Sequence, residues 1–230
     1  MILLLAAAVA TAAPAAPAAC PDIVTPDALV CRALASQKAG DSGAAAQGFE
    51  EAAKASGDKD PKTARMYAAA GNLWIEANQP GKAALDLDKA LALPGLEAEQ
   101  RGEALLDRAR AAEAQNDLIT ARAKLKEAGE TISDDPFYWY FSAALAIREG
   151  DGANAKAAIG KALTLAPSDP AILFEAGHVA QATGDDASAR SYWMRAAGSD
   201  PHGAVGKAAT KAVEMLGVTP TVKSGTTPPK

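Results

Sequence analysis

Large side chains are scarce in this 230-residue sequence: aromatic residues make up 5% of it. A chain so poor in rings cannot fill one thick globular core. Its many alanines instead suit helices that approach closely in thin layers. Histidine and cysteine are rarer still, limited to His178 and His202, Cys20 and Cys31. That leaves too few ligands for a His/Cys zinc constellation and no H-E-x-x-H helix, so neither a metal nor another cofactor is expected. Basic runs are missing and the formal net charge is −5, which argues against nucleic acid, whose capture needs clustered Lys and Arg. No pattern reads as a strand, so no glycine-rich phosphate loop can follow one. The longest apolar run near the start, Ile2–Val9, is too short to cross a bilayer as a helix.

What the sequence does contain is a period. Residues 136–170 read as a helix, a Gly-Asp turn, a second helix and a Pro stop. Trp139, Ala143, Gly150, Ala155, Ile159, Ala162 and Pro167 fall 34 residues before Leu173, Gly177, Gly184, Ala189, Trp193, Ala196 and Pro201. A fixed repeat of helical hairpins means a solenoid. Asp60-Pro61, Asp135-Pro136, Asp169-Pro170 and Asp200-Pro201 each offer an N-capping carboxylate and a first-turn Pro, and so predict the start of a hairpin or of the last helix.

The first hairpin runs over about 26–56, with Leu29, Val30, Ala33 and Leu34 on one face, a Gly40-Asp41 turn, and Ala45, Phe49, Ala52 and Ala53 on its second helix. The second, about 61–93, carries Tyr67, Gly71, Trp74, Asn78, Leu87 and Leu91. The third, about 96–132, turns at Asn116-Asp117 and lacks an Asp-Pro opening. From Ala52 to Ala90 and from Ala90 to Ala128 the step is 38 residues rather than 34, with the extra residues in the links 56–61 and 94–99. After the two matched hairpins comes one half-polar helix, about Ala204 to Leu216, with Val205, Ala208, Ala209, Ala212, Val213 and Leu216 on the face that seals the array. Residues 218–230 have almost nothing to bury and read as a disordered tail.

Residues 1–19 read as a removed export signal: an apolar segment followed by the small residues Ala16-Pro17-Ala18 or Pro17-Ala18-Ala19 at a cleavage site. Export would place the protein in the periplasm, an oxidising compartment where an even pair of cysteines, Cys20 and Cys31, invites a disulfide. Two other fates stay open. Ala18-Ala19-Cys20 also matches the end of a lipobox, with Pro17 where that motif has Leu, and would make the protein an outer-membrane lipoprotein; or both thiols stay free.

The repeat resembles the tetratricopeptide (TPR) family. The match is carried by the residues aligned above, is strong in hairpins two, four and five, and is weakest in hairpin one, where Ser36 stands in the place usually filled by Tyr. It covers about 26–216. The resemblance implies an all-α, right-handed superhelical solenoid of about five hairpins plus a capping helix, spanning 20–217. It also implies that the first helix of each hairpin lines a concave groove. The inward candidates are Arg65 and Asn72, Arg110, Tyr140 and Arg148, and Phe174, His178 and Gln181. Aromatic rings alternating with Arg would suit an extended protein or peptide segment. Hairpin four, with Tyr140 and Arg148, is the expected centre of that groove, while Trp139 and Phe141 serve the stack. Gly40-Asp41-Ser42-Gly43 resembles the serine motif of trypsin-like proteases, but it lies in an inter-helix turn with no β-barrel to hold its partners. The expected function is a non-catalytic scaffold or adaptor, with membrane contact only if Cys20 carries a lipid.

Overall fold

The computed structural model describes residues 20–217. The signal peptide expected over 1–19 and the tail expected over 218–230 lie outside the described residues. Within that span the chain is all-α, with eleven helices and no strand among the described residues. They pair as hairpins: α1 (Pro26–Lys38) with α2 (Ser42–Ser56), α3 (Thr63–Glu76) with α4 (Pro80–Ala92), α5 (Ala98–Ala114) with α6 (Leu118–Ile132), α7 (Pro136–Arg148) with α8 (Gly152–Leu165), and α9 (Pro170–Ala182) with α10 (Asp186–Ser199). A single helix, α11 (Ala204–Leu216), closes the array.

The corner inside each hairpin is made the same way. One residue takes positive φ, at Gly40, Asn78, Asn116, Gly150 and Gly184, a conformation open to Gly and tolerated by Asn. In four of the five corners the next residue is Asp. The carboxylates of Asp41, Asp117, Asp151 and Asp185 accept the backbone N–H of Ala44, Thr120, Asn154 and Ser188 at 2.9–3.0 Å, capping the second helix. Hydrogen bonds from Thr120, Asn154 and Ser188 hold the last three carboxyls below the usual range. The remaining corner substitutes Pro80 at the first helical position of α4.

Between hairpins the Asp-Pro pairs behave in two ways. Asp135 and Asp169 cap α7 and α9 as expected, accepting from Phe137 N and from Ala171 and Ile172 N. Asp60-Pro61 and Asp200-Pro201 do not start helices. Asp60 takes Lys62 N on its side chain and Thr63 N on its carbonyl, so a tight turn intervenes and α3 begins at Thr63. Asp200 ends α10, its N–H donating to Ala196 O, while its carboxylate reaches forward to Gly206 N at 3.2 Å; α11 begins at Ala204.

Small residues let the helices cross. Gly71 faces Leu87 and Gly177 faces the Trp193 indole so closely that a Cβ at either glycine would run into the facing side chain. Ala143, Ala155 and Ala189 are wholly buried. The apolar clusters run in sequence, α1 to α5, α5 to α7, α7 to α9 and α9 to α11, so the core is a continuous strip in which each layer rests on its neighbours. Two residues expected on buried faces depart from this. Leu34 is 51% exposed, because α1 is the first of the described helices and packs chiefly on α2. Ala208 is also exposed, since α11 docks through Gly206 and Ala209.

The N-terminal end is tied down twice. Cys20 and Cys31 form a disulfide, and Arg32 donates to the carbonyls of Pro21 and Ile23 at 2.6 and 3.1 Å. Curvature follows from which helices meet across layers: α3 packs on α5, α5 on α7, α7 on α9 and α9 on α11, with no comparable row among the even-numbered helices. The odd-numbered helices are therefore the inner row.

Candidate functional site

On the inner face, between α3 and α5, lies a cleft of about 500 Å³. Its walls include Arg65, Ala68 and Asn72 of α3, Glu103 and Asp107 of α5, and Leu96 from the link between them. That link is one of the two lengthened by the 38-residue spacing. Gly95 makes its turn with φ +111° and lies so close to the Pro61 carbonyl that no Cβ would fit. The Gly95 carbonyl then accepts from Arg65 Nε at 3.2 Å, which fixes the guanidinium at the rim of the cleft.

The floor is polar and connected. Asp107 is mostly buried, with its side chain 14% exposed. It accepts from Asn72 Nδ2 at 2.8 Å and pairs with Arg110 Nη1 at 2.7 Å. Burial raises its carboxyl above the usual range, against the lowering pull of Asn72 and Arg110. One carboxylate thus joins two of the expected inward residues from neighbouring hairpins. Reading the sequence singled out Asn72 and Arg110 but not Asp107. The signal available was the Asp107/Arg110 spacing on one helix, which places opposite charges one turn apart.

Further along the inner row the surface is more closed. Tyr140 is half-buried; burial and then the charge of Glu175 raise its hydroxyl, while Arg110 opposes them. Tyr140 therefore lies within electrostatic reach of both the α5 network and α9. Phe174 packs its ring on His178 at 4.4 Å, and His178 meets Trp193 edge-on at 5.6 Å. His178 is exposed, yet desolvation by these neighbours holds its imidazole below its ordinary value. Gln181 lies exposed near the end of the same helix. Glu175 was not among the expected residues. It is half-buried on α9 with no hydrogen bond or ion pair to another described residue, and burial pushes its carboxyl to about 7. A lone acid in the otherwise apolar run Ala171–Gly177 was the signal for it.

Arg148 is engaged elsewhere. It donates to the Glu113 carbonyl at 3.1 Å and to Asn116 Oδ1 at 2.9 Å, and pairs with the Glu113 carboxylate. It fastens hairpin four to the corner of hairpin three and does not line the cleft. Trp139 packs beneath Lys161 and donates to Ser133 O at 2.7 Å, while Phe141 is buried. In Gly40-Asp41-Ser42-Gly43, Asp41 is the cap of α2 and the Ser42 hydroxyl donates to Glu76 Oε2 at 2.9 Å, an inter-repeat tie. No group of three or more His, Cys, Asp and Glu among the described residues is placed to hold a metal. No described helix is long and apolar enough to cross a membrane.

Stacked helical hairpins with an inner row and a groove define the class of α-solenoid repeat proteins. Comparison with solved structures gives the particular fold, that of the tetratricopeptide repeat proteins. PilW, a type IV pilus biogenesis factor, matches with 20% identity over 82% of this chain and 84% of its own, at a TM-score of 0.67. PilF of Pseudomonas aeruginosa matches with 16% identity over 83% of each chain at 0.62. YrrB, a TPR protein with an unusual peptide-binding site, matches with 17% identity over 80% of this chain and 91% of its own at 0.55. At these identities the likeness is one of fold. No family model matches the sequence, and no curated protein does.

Proposed function

We propose that this protein is an exported, non-catalytic scaffold that binds an extended protein or peptide segment along its inner row, seated in the α3–α5 cleft and running toward Tyr140. The observation that carries the reading is the cleft itself. It is a cavity of ligand size with apolar walls and a few fixed polar groups, Arg65, Asn72 and Asp107, on rigid helices, which is the usual build of a recognition site. Asn72 and Arg65 retain hydrogen-bonding capacity toward a passing backbone beyond the bonds they already make. The peptide-binding site of YrrB and the role of PilW as a type IV pilus biogenesis factor lend support to an adaptor role, and the Cys20–Cys31 disulfide suits an oxidising envelope compartment.

The test is site-resolved. Photo-crosslinking residues at Ala68 and Gln100, inside the cleft, should capture a partner in the native envelope, and an equivalent residue at exposed Leu85 should not. Crosslinks confined to Leu85 would overturn the groove. The intact mass of the secreted chain addresses location and the fate of Cys20. A mature chain beginning at Cys20 and two hydrogen atoms lighter than the reduced form is expected, whereas an acylated Cys20 would refute the soluble form.

A further inference from the structure

The charge of the groove is lopsided in a way that bears on what it holds. In the α3–α5 cleft Asp107 is already matched by Arg110 of the same helix, which leaves Arg65 as the one cation in the lining and Glu103 as its unmatched acid. Glu103 is exposed at the cleft wall, and some desolvation there, then the charges of Glu99, Asp107 and Asp135, hold its carboxyl above the usual range. Past Glu103 the surface continues into a second cleft of about 480 Å³ that takes in Glu99, Asp134 and Asp135 and has neither Lys nor Arg in its lining. Toward the other end of the inner row, Glu175 lies half-buried and unpaired, within reach of Tyr140. A half-buried carboxylate without a counter-ion, as at Glu175, raises the energy of the empty groove, and a cation brought by a ligand relieves that cost, while at the exposed Glu103 the gain is one of charge attraction. An anionic ligand would add to that cost.

Resting on the peptide-binding reading above, we propose that the segment the groove selects is cationic: an extended chain whose Lys or Arg side chains meet Glu103 in the α3–α5 cleft and Glu175 beside Tyr140 on α9. A carboxylate within electrostatic reach of a phenol hydroxyl suits an ammonium or guanidinium, which gains from the charge and from hydrogen bonding. The spacing follows from helix packing. Two steps along the inner row, from α5 to α7 to α9, cover about 20 Å, which an extended peptide crosses in about six residues. The two cationic side chains are therefore set about six residues apart.

Three fluorescent peptides of one neutral Ala/Ser/Leu background test this. They carry a pair of Lys, a pair of Gln or a pair of Glu at that spacing, and are titrated by anisotropy into the disulfide-bonded chain. The Lys peptide is expected to bind about ten-fold more tightly than the Gln peptide, and the Glu peptide more weakly than either. Glu103→Gln and Glu175→Gln, which remove charge while keeping shape, should each weaken the Lys peptide about three- to five-fold and leave the Gln peptide unchanged. Equal or tighter binding of the Gln or Glu peptide overturns the cationic selection and leaves the peptide groove standing. Binding of none of the three overturns the groove and this inference together. If both variants bind the Lys peptide as the parent does while keeping their helicity, the assignment of Glu103 and Glu175 fails.

Discussion

Hairpins two and three differ from hairpins four and five in how they use the same architecture. In the later pair the spacing is a strict 34 residues, Trp193 fills the layer at 2% exposure against Gly177, and the inner face carries the half-buried rings of Tyr140 and Phe174. In the earlier pair the link is longer, Gly95 turns it tightly onto Pro61, and the inner helices α3 and α5 enclose a cleft with a hydrogen-bonded polar floor. Regular spacing yields close packing, and the site opens where the spacing is relaxed. Loop insertions cost a stacked array little, so a longer link is a cheap way to make room between two inner helices without disturbing the outer ones.

The largest effect that would sharpen this contrast is on packing. Trp193→Ala should cost about 3–5 kcal/mol, because it empties a site filled by one ring and abandons the indole bond to Phe174 O at 3.0 Å. Asn72→Ala, in the cleft, should cost about 1 kcal/mol or less. Urea unfolding followed by circular dichroism compares the two, and similar losses would mean that the two halves are not packed differently. Next in size, Gly177→Ala should destabilise by about 1–3 kcal/mol through the collision with Trp193, whereas Gly160→Ala on α8, where a Cβ meets nothing, should stabilise by about 0.5–1 kcal/mol.

A third test uses pH. Glu175 has its folded value raised from 4.5 to about 7 by burial, so the folded state holds this proton more tightly than the unfolded chain does. Its contribution is present in full below about 4.5 and is lost as pH rises to about 7. The chain should lose on the order of 1–2 kcal/mol of stability across that window relative to Glu175→Gln, once partial solvent screening is allowed for. Parallel pH profiles for the two proteins would remove Glu175 from the buried inner face.

Much of this molecule is legible in its sequence, for particular reasons. The hairpins could be read because Gly71, Ala143 and Gly177 must be small where helices cross and because Gly or Asn must occupy the corners. The cap signals were only half legible. Asp135-Pro136 and Asp169-Pro170 start helices, but Asp60-Pro61 and Asp200-Pro201 form turns, since the same side chain can satisfy a backbone N–H in either setting. The more regular signal, Gly or Asn followed by a capping Asp inside the hairpin, read only as a turn. Of the residues that the family resemblance put on the inner helices, Arg65 and Asn72 line the cleft and Arg110 pairs with Asp107 in its wall. Asp107 and Glu175 were not legible, because their significance depends on burial and on partners from neighbouring hairpins. Arg148 read as a groove residue because periodicity gives a helix face and not the reach of a long side chain, which here turns back to Glu113 and Asn116.

The smallest expected effect discriminates best between the two uses of the inner helices. Arg148→Ala and Arg110→Ala both remove one arginine from an inner helix, and both should change stability by about 1 kcal/mol or less, since the ion pairs involved are partly exposed. Their effects on binding should part company. Arg148 ties hairpin four to the corner of hairpin three, so its loss loosens that contact and leaves the cleft intact; peptide affinity should hold within about two-fold. Arg110 neutralises Asp107 beneath the cleft. Its loss leaves that mostly buried carboxylate with Asn72 alone, makes the floor more negative and should tighten a Lys-bearing peptide by about two- to three-fold while weakening a Glu-bearing one. If Arg148→Ala alters affinity as much as Arg110→Ala does, the groove extends to the hairpin corner, and the division between a fastening arginine and a groove arginine fails.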